Sequence, residues 1–422
     1  MRLFEDKSNK GKTIPVTHNQ ILAAWKRVRA AGGSGGVEGR SLSDVENNLK
    51  DELYKLWNRM SSGSYFPMPV LGCMVPKVQG GKRLLGIPTI VDRIAQQVVK
   101  DLLEPSLELY FHKDSYGYRP GRNTRQAVEL CTQRCYDKAW VIDLDIKGFF
   151  DNLDHEMLML ALQKHTDEKW ILMYVERWLK APMQLEGETL KQRDRGTPQG
   201  GVISPLLANL FLHYAFDKWI SITHPHIEFE RYADDIVVHC SSKEEALQVL
   251  SKIRERLQIC KLELHPEKTK IVYFKKYNRQ RDYPLVSFDF LGFTYKPRTC
   301  KAKEEKYYLG FGPAISTKAQ KQIVEEIKRR KLHSAVNAGL QDLANELASS
   351  LQGWINYYGR FRRWSMQGVF RILNDRLVKW LINKHRNLRD QKRKARLKLK
   401  EIAKDYPNLF VIGDMDFFLD NG

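Results

Sequence analysis

The sequence predicts an α+β protein with a helix-rich start, a mixed α/β centre and a basic helical end. Three observations carry that reading. Apolar residues recur at helical spacing near the N-terminus and again beyond about residue 313. Short β-branched runs bounded by Gly, Pro and Asp fill the middle. The length of 422 residues, 42% of them hydrophobic, supplies core for more than one domain.

In chain order, Ile21, Leu22, Trp25 and Val28 mark a first helix, and AGGSGGVEG (Ala31–Gly39) breaks it. A second helix is expected over Leu42 to Met60, with Ser41 and Ser43 as cap candidates. YFPMPVLGCMVPKVQGGKRLLGIP reads as two short strands joined at Gly80-Gly81. DRIAQQVVKDLLEP is an amphipathic helix that Pro105 should stop.

Ser115–Val128 reads as a turn entering a helix, Trp140–Ile146 as a strand, and Met157–Lys180 as mainly helical. The loop GTPQGG precedes a helix over Pro205–Trp219, with Ser204 and Pro205 fitting N-cap and N1. Strands flank the turn Tyr232–Asp235, Lys243–Cys260 is a helix, and Ile271–Phe274 and Phe288–Tyr295 are strands. From about Pro313 the pattern is helical, and Glu325–Met366 contains no proline.

Charge narrows the partner. Seventy Lys+Arg against fifty Asp+Glu leave a formal charge of +20, which suits a polyanion. Between Arg360 and Lys400 stand fifteen Lys/Arg and two Asp, with Phe361, Trp364, Phe370 and Trp380 interleaved. Phosphates take the charge and unstacked bases the rings, so RNA or DNA fits this end. No membrane role is expected: the longest apolar run, Leu206–Phe216, is broken by Asn209, His213 and Tyr214. The start MRLFEDKSNKGK has no signal-peptide core, so a cytoplasmic location is expected. The six cysteines form no CxxC pair and read as free thiols.

Two acidic strand ends carry the chemistry: VIDLDIKGFFD and RYADDIVV. Strand alternation puts Asp143 and Asp145 on one face, with Asp145 nearer the exit; Asp234 and Asp235 fall at a hairpin tip. If the tips meet, three carboxylates converge. Such a cluster stays ionised only beside cations, and hard oxygen ligands select Mg²⁺. Two Mg²⁺ ions roughly 3.5–4 Å apart stabilise the attacking and leaving oxygens of a phosphoryl displacement. A lone Asp-Asp pair reads as an ordinary turn; the combination is what points to metal.

FERYADDIVV, VIDLDIKGFFDNLDHE, RGTPQGGVISPLLANLFL and FDFLGF, in addition to IPTIVDRIAQQVV, SYGYRPGR and GWINYYGRF, resemble the reverse transcriptases encoded by bacterial group II introns. The similarity runs from about residue 20 to residue 400. It implies a right-hand polymerase whose domains are an N-terminal helical extension (1–66), fingers and palm (67–296), a helical thumb/maturase domain (297–404) and a tail (405–422). It also implies an RNA-directed DNA polymerase that binds its own intron RNA as template, uses a DNA primer or target, and aids splicing and retrotransposition.

The resemblance assigns roles residue by residue. Asp145 and Asp234 match metal ligands, with Asp235 beside them. Phe150 matches the aromatic gate against a ribose 2′-hydroxyl, although alternation leaves Phe149 as the other candidate for the inward ring. Lys77 and Arg83 match residues that hold the incoming triphosphate, and Gln199 matches one near the nucleotide sugar. Lys268 matches a lysine assigned as proton donor to pyrophosphate; a solvated lysine reads equally well. Leu291 and Gly292 match the primer grip. Ser115, Tyr116, Arg119 and Arg122 are candidates for template contact, a buried turn being equal for the first two. Trp354, Tyr357, Tyr358 and Phe361 share one helix face and read as packing, leaving Arg360, Arg362 and Arg363 as RNA candidates.

The sequence departs from the family where PVLGCMVPK is apolar in place of basic residues. No His/Cys-rich endonuclease segment follows residue 404, so second-strand cleavage is not expected and a primer would have to be borrowed. Two rival readings are a splicing-only maturase and a CRISPR- or defence-associated reverse transcriptase. The intact aspartates, GTPQGG loop and Lys77/Arg83 argue against the first, and no fused domain supports the second.

Overall fold

The computed structural model describes residues 14–76, 81–185, 189–301, 306–406 and 409. The chain forms two compact units: Met1–Arg134 with Trp140–Ile271, and Cys135–Ala139 with Val272–Gly422.

The first unit opens with α1 (His18–Ala31), whose N-terminus is closed by a Thr17/Gln20 capping box and whose buried stripe is Ile21, Ala24, Trp25 and Val28. The single helix expected over Leu42–Met60 is two, α2 (Leu42–Asn47) and α3 (Leu49–Ser62). Asn48 separates them at φ −126°, ψ 32°, outside helical geometry. β1 (Val70–Pro76) pairs antiparallel with β2 (Lys82–Ile87), as the hairpin pattern predicts. The Gly80 side of their link lies outside the described residues.

α4 (Ile90–Glu108) runs through Pro105 instead of stopping there. The proline sits in the last turn, where its missing N–H forfeits one helical bond, and the buried Leu103 and Leu107 hold the helix on both sides of it. α5 (Thr124–Asp137) leads into β3 (Trp140–Asp145). The helical region after it is also two segments, α6 (His155–Gln163) and α7 (Lys169–Lys180), and β4 (Met183–Leu185) then joins β1 in parallel, giving a sheet ordered β2-β1-β4.

α8 (Ser204–Leu212) passes through a π-helical turn, His213–Asp217, into α9 (Lys218–Thr223). Ser204 is not the cap: Ile203 holds that place, while Thr197 Oγ1 donates to Ser204 Oγ at 2.8 Å. β5 (Glu228–Tyr232) and β6 (Asp235–Cys240) form an antiparallel hairpin. With α10 (Lys243–Ile259) between them and β7 (Lys270–Tyr273), the order of this sheet is β5-β6-β3-β7.

In the second unit, β8 (Phe288–Phe290), β9 (Phe293–Lys301) and β10 (Tyr307–Ile315) form an antiparallel sheet in the order β10-β9-β8. β10 extends past Pro313, where helix was expected, because Pro313 pairs with Tyr295 as far as register goes and needs no N–H there. Helices α11 (Thr317–Arg329), α12 (Leu340–Arg362), α13 (Gln367–Lys384) and α14 (Lys392–Asp405) follow. Ile323, Leu347, Leu351, Phe370 and Leu377 lie in their shared core. No described helix is long and apolar enough to cross a membrane. All six cysteines are free thiols, four of them buried.

Candidate active site

The apolar run Ile236-Val237-Val238 is buried and makes β6 the centre of its sheet, flanked by β5 and β3. Register then places the acids. Asp145, the last residue of β3, lies directly opposite Asp235, the first of β6, and Asp235 is also opposite Tyr232 on β5. Directly opposed residues share a sheet face. Ala233 and Asp234 are thus the two central residues of a hairpin turn, and Ala233 takes φ 56°, the sign that primed hairpin turns demand at that place. A non-glycine residue there costs about 1 kcal/mol or more, so neighbouring structure must hold it.

Asp145 stands in register with Asp235 and near enough to Asp234 for its charge to act on that carboxyl. Burial pushes the Asp234 carboxyl above the ordinary range, and the negative charge of Asp145 raises it further; its own backbone N–H, Arg231 and Lys268 oppose the shift. Asp235 is exposed, while Asp145 and Asp234 are half-buried. Lys268 Nζ lies 3.4 and 3.3 Å from the two Asp145 oxygens. The Asp145 backbone is itself pinned, its carbonyl accepting from the His265 N–H at 2.7 Å. Oxygen-only donors of like charge, one made costly to ionise by burial and then by its neighbour, match what a hard divalent cation binds.

Gly148 at φ 56° turns the chain after β3 into a 3-10 turn, Phe149–Asp151. That turn, not strand alternation, separates the two rings: Phe149 is 2% exposed and part of the core, whereas Phe150 is half-buried. The GTPQGG loop is stitched to this turn. Thr197 N–H donates to Phe150 O at 2.8 Å, and Gln199 Nε2 donates to Asp151 Oδ1 at 3.3 Å. A Cβ on Gly200, which has φ 143°, would stand 2.5 Å from Gly86 O, so glycine is required for the approach to β2. Gln199, Asp151 and Arg195 line a cleft of about 300 Å³.

Arg83, on β2 opposite Val75, is exposed, and its partner in the expectation, Lys77, lies outside the described residues. Tyr118 is a residue that the sequence reading passed over. Its phenol is pushed up by burial and by the nearby charge of Asp234, with Arg83 opposing. Its ring lies 6.3 Å from that of Tyr232.

SYGYRPGR divides in two. Ser115 is fully buried and Arg119 nearly so, its guanidinium bound to Glu108, His112 O and Ser115 O. An arginine so engaged braces its own loop, which favours the buried-turn reading over template contact for Ser115, Tyr116 and Arg119. Arg122 is half-buried, 5.6 Å above the Tyr116 ring.

In the second unit, Leu291 (φ 49°) and Gly292 (φ 81°) form the two-residue turn between β8 and β9. Tyr357 Oη donates to Leu291 O at 2.8 Å, and a Cβ on Gly292 would stand 3.0 Å from Tyr358 Oη. Phe293 packs against Tyr357, Tyr358 and Phe361. The aromatic stripe of α12 is therefore packing, and what it packs is the turn matched to the primer grip. Arg360 is exposed; Arg362 and Arg363 are half-buried, and Arg362 Nη2 contacts Cys300 Sγ at 3.0 Å.

Comparison with known proteins identifies the family. Residues 75–311 match the family described as reverse transcriptase (RNA-dependent DNA polymerase), and residues 320–398 match the group II intron maturase-specific domain. Protein YkfC of Escherichia coli (strain K12) is 31% identical over 296 residues, 61% of this chain and 77% of that protein. Group II intron-encoded protein LtrA of Lactococcus lactis subsp. cremoris is 34% identical over 181 residues, 42% of this chain and 30% of LtrA. The putative COX1/OXI3 intron 1 protein of Saccharomyces cerevisiae is 22% identical over 415 residues, 88% of this chain and 49% of its own length. The matches thus span less than half of those last two relatives. The chain belongs to the reverse transcriptases, RNA-directed DNA polymerases, and carries behind that region a group II intron maturase-specific domain.

Proposed function

We propose that the protein copies RNA, its own intron RNA foremost, into DNA from the 3′-hydroxyl of a DNA primer, and that it assists splicing of that RNA. Polymerases of this family generally use divalent metal ions. Asp145 and Asp234 would hold two Mg²⁺ ions, with Asp235 supporting them. When bound, the ions supply charge stabilisation for the attacking and leaving oxygens.

The chain's own residues do the rest. Arg83 and Lys77 bind the triphosphate, Phe150 closes the space under the sugar C2′, and Gln199 positions the nucleotide. Lys268, already on the acidic cluster, is placed to give a proton to pyrophosphate. Leu291 and Gly292 seat the primer strand, and Arg122, Arg360, Arg362 and Arg363 take RNA phosphates. The observation that supports this reading best is the register of Asp145 against Asp235, which gathers three carboxylates at one sheet end.

The test is primer extension on an RNA template with Mg²⁺. Wild-type protein should synthesise DNA and Asp234→Ala should not. Equal synthesis by both would overturn the assignment.

A further inference from the structure

Arg231 is wholly buried and stands immediately before the Tyr232–Asp235 turn. All three of its guanidinium nitrogens donate. Nε and Nη2 donate to the two Asp217 oxygens at 2.7 and 2.6 Å. Nη1 donates to Asn209 Oδ1 at 2.9 Å and to Ala233 O at 3.1 Å. Ala233 is the residue in the costly φ 56° conformation.

The same partners reach the turn from outside. Asn209 Nδ2 donates to Gly117 O at 2.7 Å. Gly117 lies so close that a Cβ there would stand 2.4 Å from Ala233 N. The Arg231 backbone is bound on both sides, its N–H to Asp114 O at 2.9 Å and its carbonyl from Tyr116 N–H at 2.8 Å. Asp217 closes the π-helical turn His213–Asp217, an irregularity that sets its carboxylate under the guanidinium.

We infer that Arg231, through Asp217, Asn209 and the close packing of Gly117, is the positioning residue that holds the Ala233-Asp234 turn in its metal-binding geometry. A guanidinium can do this because it binds a carboxylate with two donors while a third is aimed elsewhere; an ammonium cannot. The consequence lies in metal affinity and the chemical step, since Arg231 itself is buried and touches no substrate. This rests on the reading of Asp145 and Asp234 as metal ligands.

The experiment measures single-nucleotide addition against Mg²⁺ concentration, with the melting temperature of each variant recorded alongside. Arg231→Lys, Asn209→Ala and Gly117→Ala are compared with wild type. Each folded variant should need several-fold more Mg²⁺ for half-maximal rate and lose about tenfold in kcat, with the primer–template Kd unchanged. His239→Gln, on β6 away from the turn, serves as a reference for lost stability alone and should keep the wild-type Mg²⁺ midpoint. Arg231→Lys can fail to fold, and the other two variants then decide the matter.

Wild-type Mg²⁺ midpoints in the folded variants, or an equal shift in His239→Gln, would overturn the inference. Synthesis surviving in Asp234→Ala would instead overturn the metal-site reading on which it rests.

Discussion

Lys268 Nζ stands 3.3 Å from Asp145, the ammonium lying across both carboxylate oxygens. A lysine 123 residues away in sequence is thus paired with the acid that closes β3. In the proposed role it would give a proton to the leaving pyrophosphate, and a positioned general acid is worth about 10²–10⁴ in rate. Lys268→Ala is expected to slow single-turnover addition by about 10²-fold while primer binding stays constant. An unaltered rate would leave the lysine as a surface counter-ion.

Phe150 is the ring that the 3-10 turn leaves open, with Phe149 sent to the core. Phe150→Ala should therefore raise ribonucleotide incorporation relative to deoxynucleotide by about tenfold or more, since the barrier is steric. Phe149→Ala should cost stability instead, about 3–5 kcal/mol for a buried ring. The pair of variants, read by sugar competition and by denaturant unfolding, separates the two roles.

The bond from Tyr357 to Leu291 O predicts that Tyr357→Phe loosens the left-handed turn without removing the packed ring. A hydrogen bond of this kind contributes about 1 kcal/mol. Primer release should quicken several-fold while thermal stability falls only slightly. Dissociation from a labelled primer–template measures it, and an unchanged off-rate would detach this turn from the primer.

His239 and Glu230 form a fully buried pair at 2.6 Å, with Cys131 against the imidazole and Arg134, itself paired with Asp114, on the other Glu230 oxygen. Burial opposes the imidazolium, yet the Glu230 charge and hydrogen bonds to Glu230 and Cys131 lift its pKa to about 10. A pKa raised above the ordinary 6.5 makes the pair's contribution complete below that pH and lost as pH climbs toward 10. The unfolding midpoint should fall between pH 7 and 10, and His239→Gln should flatten that fall.

The basic end is expected to bind RNA with a steep salt dependence, each phosphate contact adding about 0.7–0.9 to the slope of log K against log salt. Replacing Arg360 and Arg363 together by Gln should reduce the slope by about 1–2. A slope equal to wild type would place the RNA elsewhere.

The α+β class, the paired aspartates and the order of the motifs were legible in the sequence, because alternation, helical spacing and Gly/Pro punctuation are local properties. The clustering of Asp145 with Asp234 was expected only on the condition that two strand tips meet; the register of β3 against β6 meets it. Local rules failed where a distant contact outweighed them. Pro105 should end a helix, but Leu103 and Leu107 are buried on both sides of it. Ser204 should cap one, but Thr197 engages its hydroxyl.

Arg119 and Arg231 could not be told apart from surface arginines by sequence. A side chain's partners lie in other segments: Glu108 and His112 for one, Asp217 and Asn209 for the other. Burial with satisfied donors is a property of the folded chain, and only tertiary structure decides it. The sequence by itself determined which chemistry the chain can carry. The packing of Arg231, Gly117 and Ala233 decided how the turn that carries Asp234 is held, because a strained turn keeps its shape only through neighbours remote in sequence.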